Sequence, residues 1–136
     1  MESSVIFLEK PGSVEEVKLQ EIVANFIDAI RTKAIDTLQE IIASNARMEC
    51  QIAKYEVVDK QRFIRIVEYS YLRNLSYTDV RLQLKDHVFA VSFGIIKVRS
   101  LLSSVPKYFA VYLEKTKGGW RIIKTEYIGR KNNGIF

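Results

Sequence analysis

The order of hydropathy patterns constrains this chain most. Residues 14–42 and 60–72 repeat their apolar side chains at helical spacing. Residues 75–128 read instead as long strands, ending in Gly118-Gly119-Trp120-Arg121-Ile122-Ile123. Helices first and strands last predict an α+β domain, with three N-terminal helices packed on one face of an antiparallel sheet. Such a half-cone can hold a pocket between helices and sheet.

Residues 1–12 read as an N-terminal arm closed by Pro11-Gly12, and residues 13–136 as one domain. Val5 to Leu8 could pair as a short strand or pack on a neighbouring subunit. Ser13 with Glu16 three residues on gives a capping box for the first helix. Leu19, Ile22, Val23, Phe26, Ile27 and Ile30 form its apolar stripe. Glu15, Glu16, Lys18, Glu21 and Asn25 take the polar side. The second helix carries Ile35, Leu38, Ile41 and Ile42, and Ser44-Asn45 closes it. Residues 46–52 read as a first strand. Asp59 caps a third helix with Phe63, Ile66, Val67 and Tyr71 on one side, and Asn74 marks its end.

Residues 75–84 alternate as a half-buried strand, with Tyr77, Asp79, Arg81 and Gln83 on one face. Lys85-Asp86-His87 is a turn. Residues 88–98 are apolar on both faces, which suits a central strand covered on both sides. Residues 100–106 form a long connection, either a flap over a pocket or a segment tucked on the sheet. Residues 107–116 and 120–128 flank a hairpin turn at Lys117-Gly118-Gly119.

Composition narrows the function classes. A chain of 136 residues, 48% hydrophobic and 27% charged, has the make-up of an ordinary globular protein with a sizeable core. Its one cysteine, Cys50, can close no disulfide within the chain. The segment Val5-Ile6-Phe7-Leu8 is too short for a signal core, and no apolar run approaches the ~20 residues of a membrane span. A cytoplasmic protein is expected. The net charge is +5, densest around Arg121, Lys124, Arg130 and Lys131. No recognisable nucleic-acid module accompanies it, so it reads as a solvated surface. The sole histidine, His87, cannot build a His-based metal site, and no carboxylate cluster stands at ligand spacing. No metal and no cofactor are expected.

Three stretches resemble the nuclear transport factor 2-like superfamily, also called ketosteroid isomerase-like or SnoaL-like. Phe26-Ile27-Asp28-Ala29-Ile30 is similar to the family's first-helix pattern. The run from Asp36 to Ala46 resembles its second helix, and Glu114 to Ile122 its final hairpin. The resemblance implies a cone, a curved antiparallel sheet wrapped around helices with a cavity inside. It also implies a homodimer formed through the outer sheet face. In the isomerase branch a tyrosine on the first helix and an aspartate base in the first strand do the chemistry. Ungapped from the second helix, the resemblance puts those positions on Phe26, which has no hydroxyl, and on Cys50, whose thiol is a poor base at neutral pH. Glu49 is adjacent but points to the opposite strand face.

The family's last strand often carries cavity-facing histidines where this chain has Lys124 and Glu126. Two residues apart, they share a face, and Trp120 and Ile122 would lie on it too. They could bind a polar ligand in a pocket, or stand on the solvent face and pair with each other. Tyr108 and Tyr112 share a face of the preceding strand. The implied pocket therefore comprises Phe26, Cys50, Phe63, Tyr108, Tyr112, Trp120, Lys124 and Glu126. The leading expectation is a non-catalytic, homodimeric ligand-binding or interaction domain that takes a small hydrophobic or polar ligand. The alternative is a lyase or isomerase acting on a small hydrophobic molecule, with Glu126 as candidate catalytic base, Tyr108 or Tyr112 as donor and Lys124 as oxyanion stabiliser.

Overall fold

A computed structural model describes residues 4–51, 55–70, 74–98 and 106–128. Its elements run β1 (Val5–Phe7), α1 (Val14–Thr32), α2 (Ile35–Ile41), β2 (Ile42–Gln51), β3 (Tyr55–Val58), α3 (Lys60–Tyr69), β4 (Leu75–Leu84), β5 (Phe89–Val98), β6 (Lys107–Thr116) and β7 (Gly119–Ile128). One curved, unclosed sheet takes the order β1-β4-β5-β6-β7-β2-β3, and the helices lie against its inner face.

The helix starts follow their caps. Ser13 Oγ accepts from the Glu16 N–H at 3.1 Å, satisfying a donor that the first turn leaves free. The Glu16 carboxylate reaches back to the Gly12 N–H, one residue before the cap. Asp59 accepts from the Arg62 N–H at 2.9 Å to open α3. Lys33, in the left-handed region at φ 59°, closes α1. Helix α1 buries Leu19, Val23, Phe26, Ile27 and Ile30. Phe26 stacks on Phe63 of α3, their ring centroids 5.8 Å apart.

Several expectations change. The sheet is mixed rather than antiparallel: β1 runs parallel to β4, and β2 parallel to β7. Of the two alternatives for the arm the short strand is the one formed: β1 pairs with β4 at the sheet border, with Val5 buried among core residues. Helix α2 ends at Ile41 instead of Ser44-Asn45, because Ile42 pairs with Ile122 in β7 and starts the strand early. The four-residue strand β3 was not expected. It pairs along β2 in a hairpin too short to show periodicity. Helix α3 closes at Tyr69, where the Ser70 hydroxyl and N–H both bond the Val67 carbonyl. Tyr71 and residues 100–105 of the long connection lie outside the described residues, as do Arg130 and Lys131.

Two β-bulges reset the side-chain alternation. In β4, Tyr77 pairs with Ile96 and Thr78 with Ile95, and pairing resumes only at Arg81 with Phe93. Asp79, at φ 53°, is the extra residue. Tyr77 and Val80 are consequently both buried, whereas simple alternation puts them on opposite faces. In β7, Ile122 pairs with Leu113 and Lys124 with Tyr112, which leaves Ile123 as the extra residue.

Candidate functional site

The bulge at Ile123 decides where the expected pocket residues go. Trp120 and Ile122 face the helices and are buried. Beyond the bulge, Thr125 and Tyr127 face inward, opposite Val111 and Phe109. Lys124 and Glu126 therefore point out of the other face, together with Tyr112 and Tyr108. The expectation that they share a face with Trp120 is corrected: one extra residue turns them over. They do share a face with each other.

Out there they form a small ordered cluster. Lys124 Nζ lies 3.1 Å from Glu126 Oε2. The Tyr112 hydroxyl donates to Glu126 Oε1 at 3.2 Å. Lys124 Nζ also stands 5.2 Å from the Tyr112 ring centroid, a cation–π distance. The bond to Glu126 holds the Lys124 ammonium above its usual pKa. Burial, and then the Glu126 charge, push the Tyr112 phenol up. Glu126 is thus already engaged by a phenol and an ammonium.

Phe26, Phe63 and Cys50 face inward and are buried in the core cluster. Burial, reinforced by the charges of Glu49 and Glu56, pushes the Cys50 thiol up to about 12. A thiol that stays protonated at neutral pH cannot take a proton from a substrate. Phe26 offers no donor.

Glu49 has a structural task. Parallel pairing of β2 with β7 reaches Met48 opposite Thr125, where β2 turns to pair with β3. At that divergence the Glu49 carboxylate accepts the Tyr127 N–H at 2.8 Å, and the Glu49 N–H donates to Thr125 Oγ1 at 3.1 Å. The side chain takes over a bond that a longer ladder would make. Glu49→Ala is expected to cost about 1–3 kcal/mol, because a buried acceptor is withdrawn. Glu49→Gln keeps an oxygen there and is expected to lose less. Urea denaturation of both variants measures the difference.

The sequence reading assigned no site to Phe89 and Phe93, which group with Tyr108 on the outer face of the sheet. On the outer face Phe89 is 41% and Phe93 37% exposed on β5, and Tyr108 is 65% exposed on β6. Ile95 adjoins them, opposite Tyr108, and Val91 and Ala110 are buried between the larger side chains. Arg81, Gln83, Glu114, Lys124 and Glu126 lie on the same face around this group. The signal was present in the two-sided apolar pattern of residues 88–98. Both faces were expected to be covered, but the helices cover only one.

A second feature lies at the β6–β7 hairpin. An open cleft of about 370 Å³ runs between α1, the end of α2 and that hairpin, and Trp120 lines it. There the Trp120 indole N–H donates to Glu15 Oε2 at 2.7 Å, and Lys115 Nζ lies 2.9 Å from the same oxygen. Lys115 first, and then Trp120, hold the Glu15 carboxyl below its ordinary pKa. Glu15 had been read only as part of the polar side of its helix. Among the described residues, no three His, Cys, Asp or Glu side chains gather as a metal site, and no helix is long and apolar enough to cross a membrane.

The architecture is the nuclear transport factor 2-like fold, with three helices set against a curved mixed sheet. Solved structures share it across most of their length. A putative calcium/calmodulin dependent protein kinase II association domain from Xanthomonas campestris matches with a TM-score of 0.70 at 16% identity, over 93% of this chain and 95% of that one. A nuclear transport factor 2-like protein from Cytophaga hutchinsonii gives 0.69 at 16% identity, over 85% and 97%. One of unknown function from Pseudomonas putida gives 0.68 at 11% identity, over 82% and 83%. Likeness at this identity carries the architecture and no activity. No protein-family model and no curated protein sequence matches the chain.

Proposed function

We propose that this chain is a non-catalytic interaction domain that pairs with a second copy of itself through the outer face of its sheet. One observation carries the reading. Strand β5 is apolar on both faces, yet the chain's own helices cover only the inner one. An antiparallel strand with a solvated face normally alternates apolar with polar residues. Phe89, Phe93 and Tyr108 depart from that rule side by side, and grouped apolar surface of this kind marks an interaction site. The ring of charged and polar residues around it has the make-up of an interface rim.

A second copy is the fitting partner because a two-fold contact sets one patch against itself and needs no other complementary surface. One protein of the same fold bears the name of an association domain, which agrees with assembly as a use of this architecture. The inert Phe26 and Cys50 positions and the engaged Glu126 favour assembly over lyase or isomerase chemistry. Sedimentation equilibrium over a wide concentration range tests the reading. Twice the chain mass is expected at micromolar concentration, and a monomer throughout would overturn it.

A further inference from the structure

The cleft beside Trp120 is separate from the sheet face and has chemistry of its own. At about 370 Å³ it falls within the size range of small-molecule sites, roughly 300–1,000 Å³. One wall is already satisfied, since Lys115 and the Trp120 indole both donate to Glu15. Lys18, Glu21, Glu40 and Arg121 also line the cleft. Among the described residues none of these four makes an ion pair. They comprise two cations and two carboxylates, so the free charge of the lining is balanced. A simple anion or a simple cation would satisfy one sign and leave the other unanswered. A ligand carrying both signs serves both.

Arg121 is prepared for one end of such a ligand. Its Nη1 donates to the Trp120 carbonyl at 3.0 Å, which fixes the guanidinium over its own hairpin. The glycines of the turn leave room for it, since a Cβ on Gly118 would sit 3.0 Å from Nη2. The remaining donors of the planar fork suit a carboxylate. Lys60 adds positive potential nearby, its pKa lowered by burial and then by the Arg121 charge. Glu21, contributed by α1, supplies the opposite sign. Ile22, Ile41 and Trp120, which also line the cleft, offer an apolar surface for a side chain.

We propose that this cleft binds a free α-amino acid with an apolar side chain, its carboxylate on Arg121 and its ammonium on Glu21. Trp120 is the only tryptophan, so its emission reports on this cleft alone. The test titrates the full chain with L-phenylalanine, phenylacetate and phenethylamine, exciting tryptophan selectively. A saturable emission change with phenylalanine is expected, with both single-charge analogues at least about tenfold weaker. Arg121→Gln and Glu21→Gln are each expected to weaken phenylalanine by about tenfold or more, while Lys85→Gln in the β4–β5 turn leaves it unchanged. Glu21 is exposed, so its variant keeps the test decisive should Arg121→Gln fold poorly. No saturable change with any probe overturns the proposal. So does an analogue that binds as well as phenylalanine, or a Glu21→Gln protein that binds like the parent. The site stands or falls apart from self-association, which sedimentation reads independently.

Discussion

Gly94→Ala is expected to cost about 3 kcal/mol of folding stability and to lower the Tm by roughly 10 °C. Gly94 lies on the inner face of β5, opposite Phe109. A Cβ there would meet Tyr77 Cε1 at 2.7 Å, Val80 Cγ2 at 2.8 Å and the Thr78 carbonyl oxygen at 2.9 Å. None of the three can step aside freely. Thr78 is backbone in register with Ile95, and Val80 is completely buried. The Tyr77 hydroxyl is bonded to Ser92 Oγ and to the Phe109 carbonyl, both at 3.0 Å, and burial holds that phenol protonated. The close approach follows from the bulge at Asp79, which turns both Tyr77 and Val80 onto the same spot. Thermal unfolding followed by circular dichroism measures the effect. A Tm within about 2 °C of the parent would mean that the β4–β5 packing can open to admit a methyl group.

Phe93→Asp is expected to separate the proposed dimer while leaving the protomer folded. Phe93 is partly exposed, so the aspartate can reach solvent in the monomer. In an assembled pair it would bury a charge at the centre of an apolar contact. Loss of a central aromatic anchor typically weakens association by about 2 kcal/mol or more, roughly 30-fold. Sedimentation should show a monomer at concentrations where the parent is paired, with an unchanged far-ultraviolet spectrum. A Phe93→Asp protein that assembles like the parent would place the contact elsewhere on the molecule.

Most of the architecture was legible in the chain because it rests on local chemistry. Ser13 and Asp59 announce their helices through capping bonds, the 3–4 spacing from Leu19 to Ile30 marks the buried stripe, and Lys117-Gly118 marks the hairpin. Features that depend on partners distant in sequence were not legible. Residues 55–58 are too short a run to mark a strand until β2 lies beside them, and Ser44-Asn45 looks like a helix end until Ile42 finds Ile122. The candidate pocket suffered most. Its inward assignment of Lys124 and Glu126 came from strict two-residue alternation, and an extra residue at Ile123 carries no composition signal. By contrast, the two-sided apolar character of β5 was visible at once, and only what covers its outer side had to be learned from the fold.

The two bulges also govern how sequence changes translate into surface changes. On β7 even-numbered side chains face the helices as far as Ile122, and odd-numbered ones do so from Thr125 onward. On β4 the parity changes in the other sense, from odd at Tyr77 to even at Val80. A single-residue deletion at Ile123 would therefore not simply shorten a strand. It would remove the bulge and set Lys124 directly after Ile122 in a regular ladder opposite Tyr112, with Lys124 and Glu126 still outside and Thr125 and Tyr127 still inside. Strands β5 and β6 pair with each other in one unbroken register, so a residue lost from either exchanges its inward and outward sets, whereas β4 and β7 can each give up one residue, Asp79 or Ile123, and keep theirs.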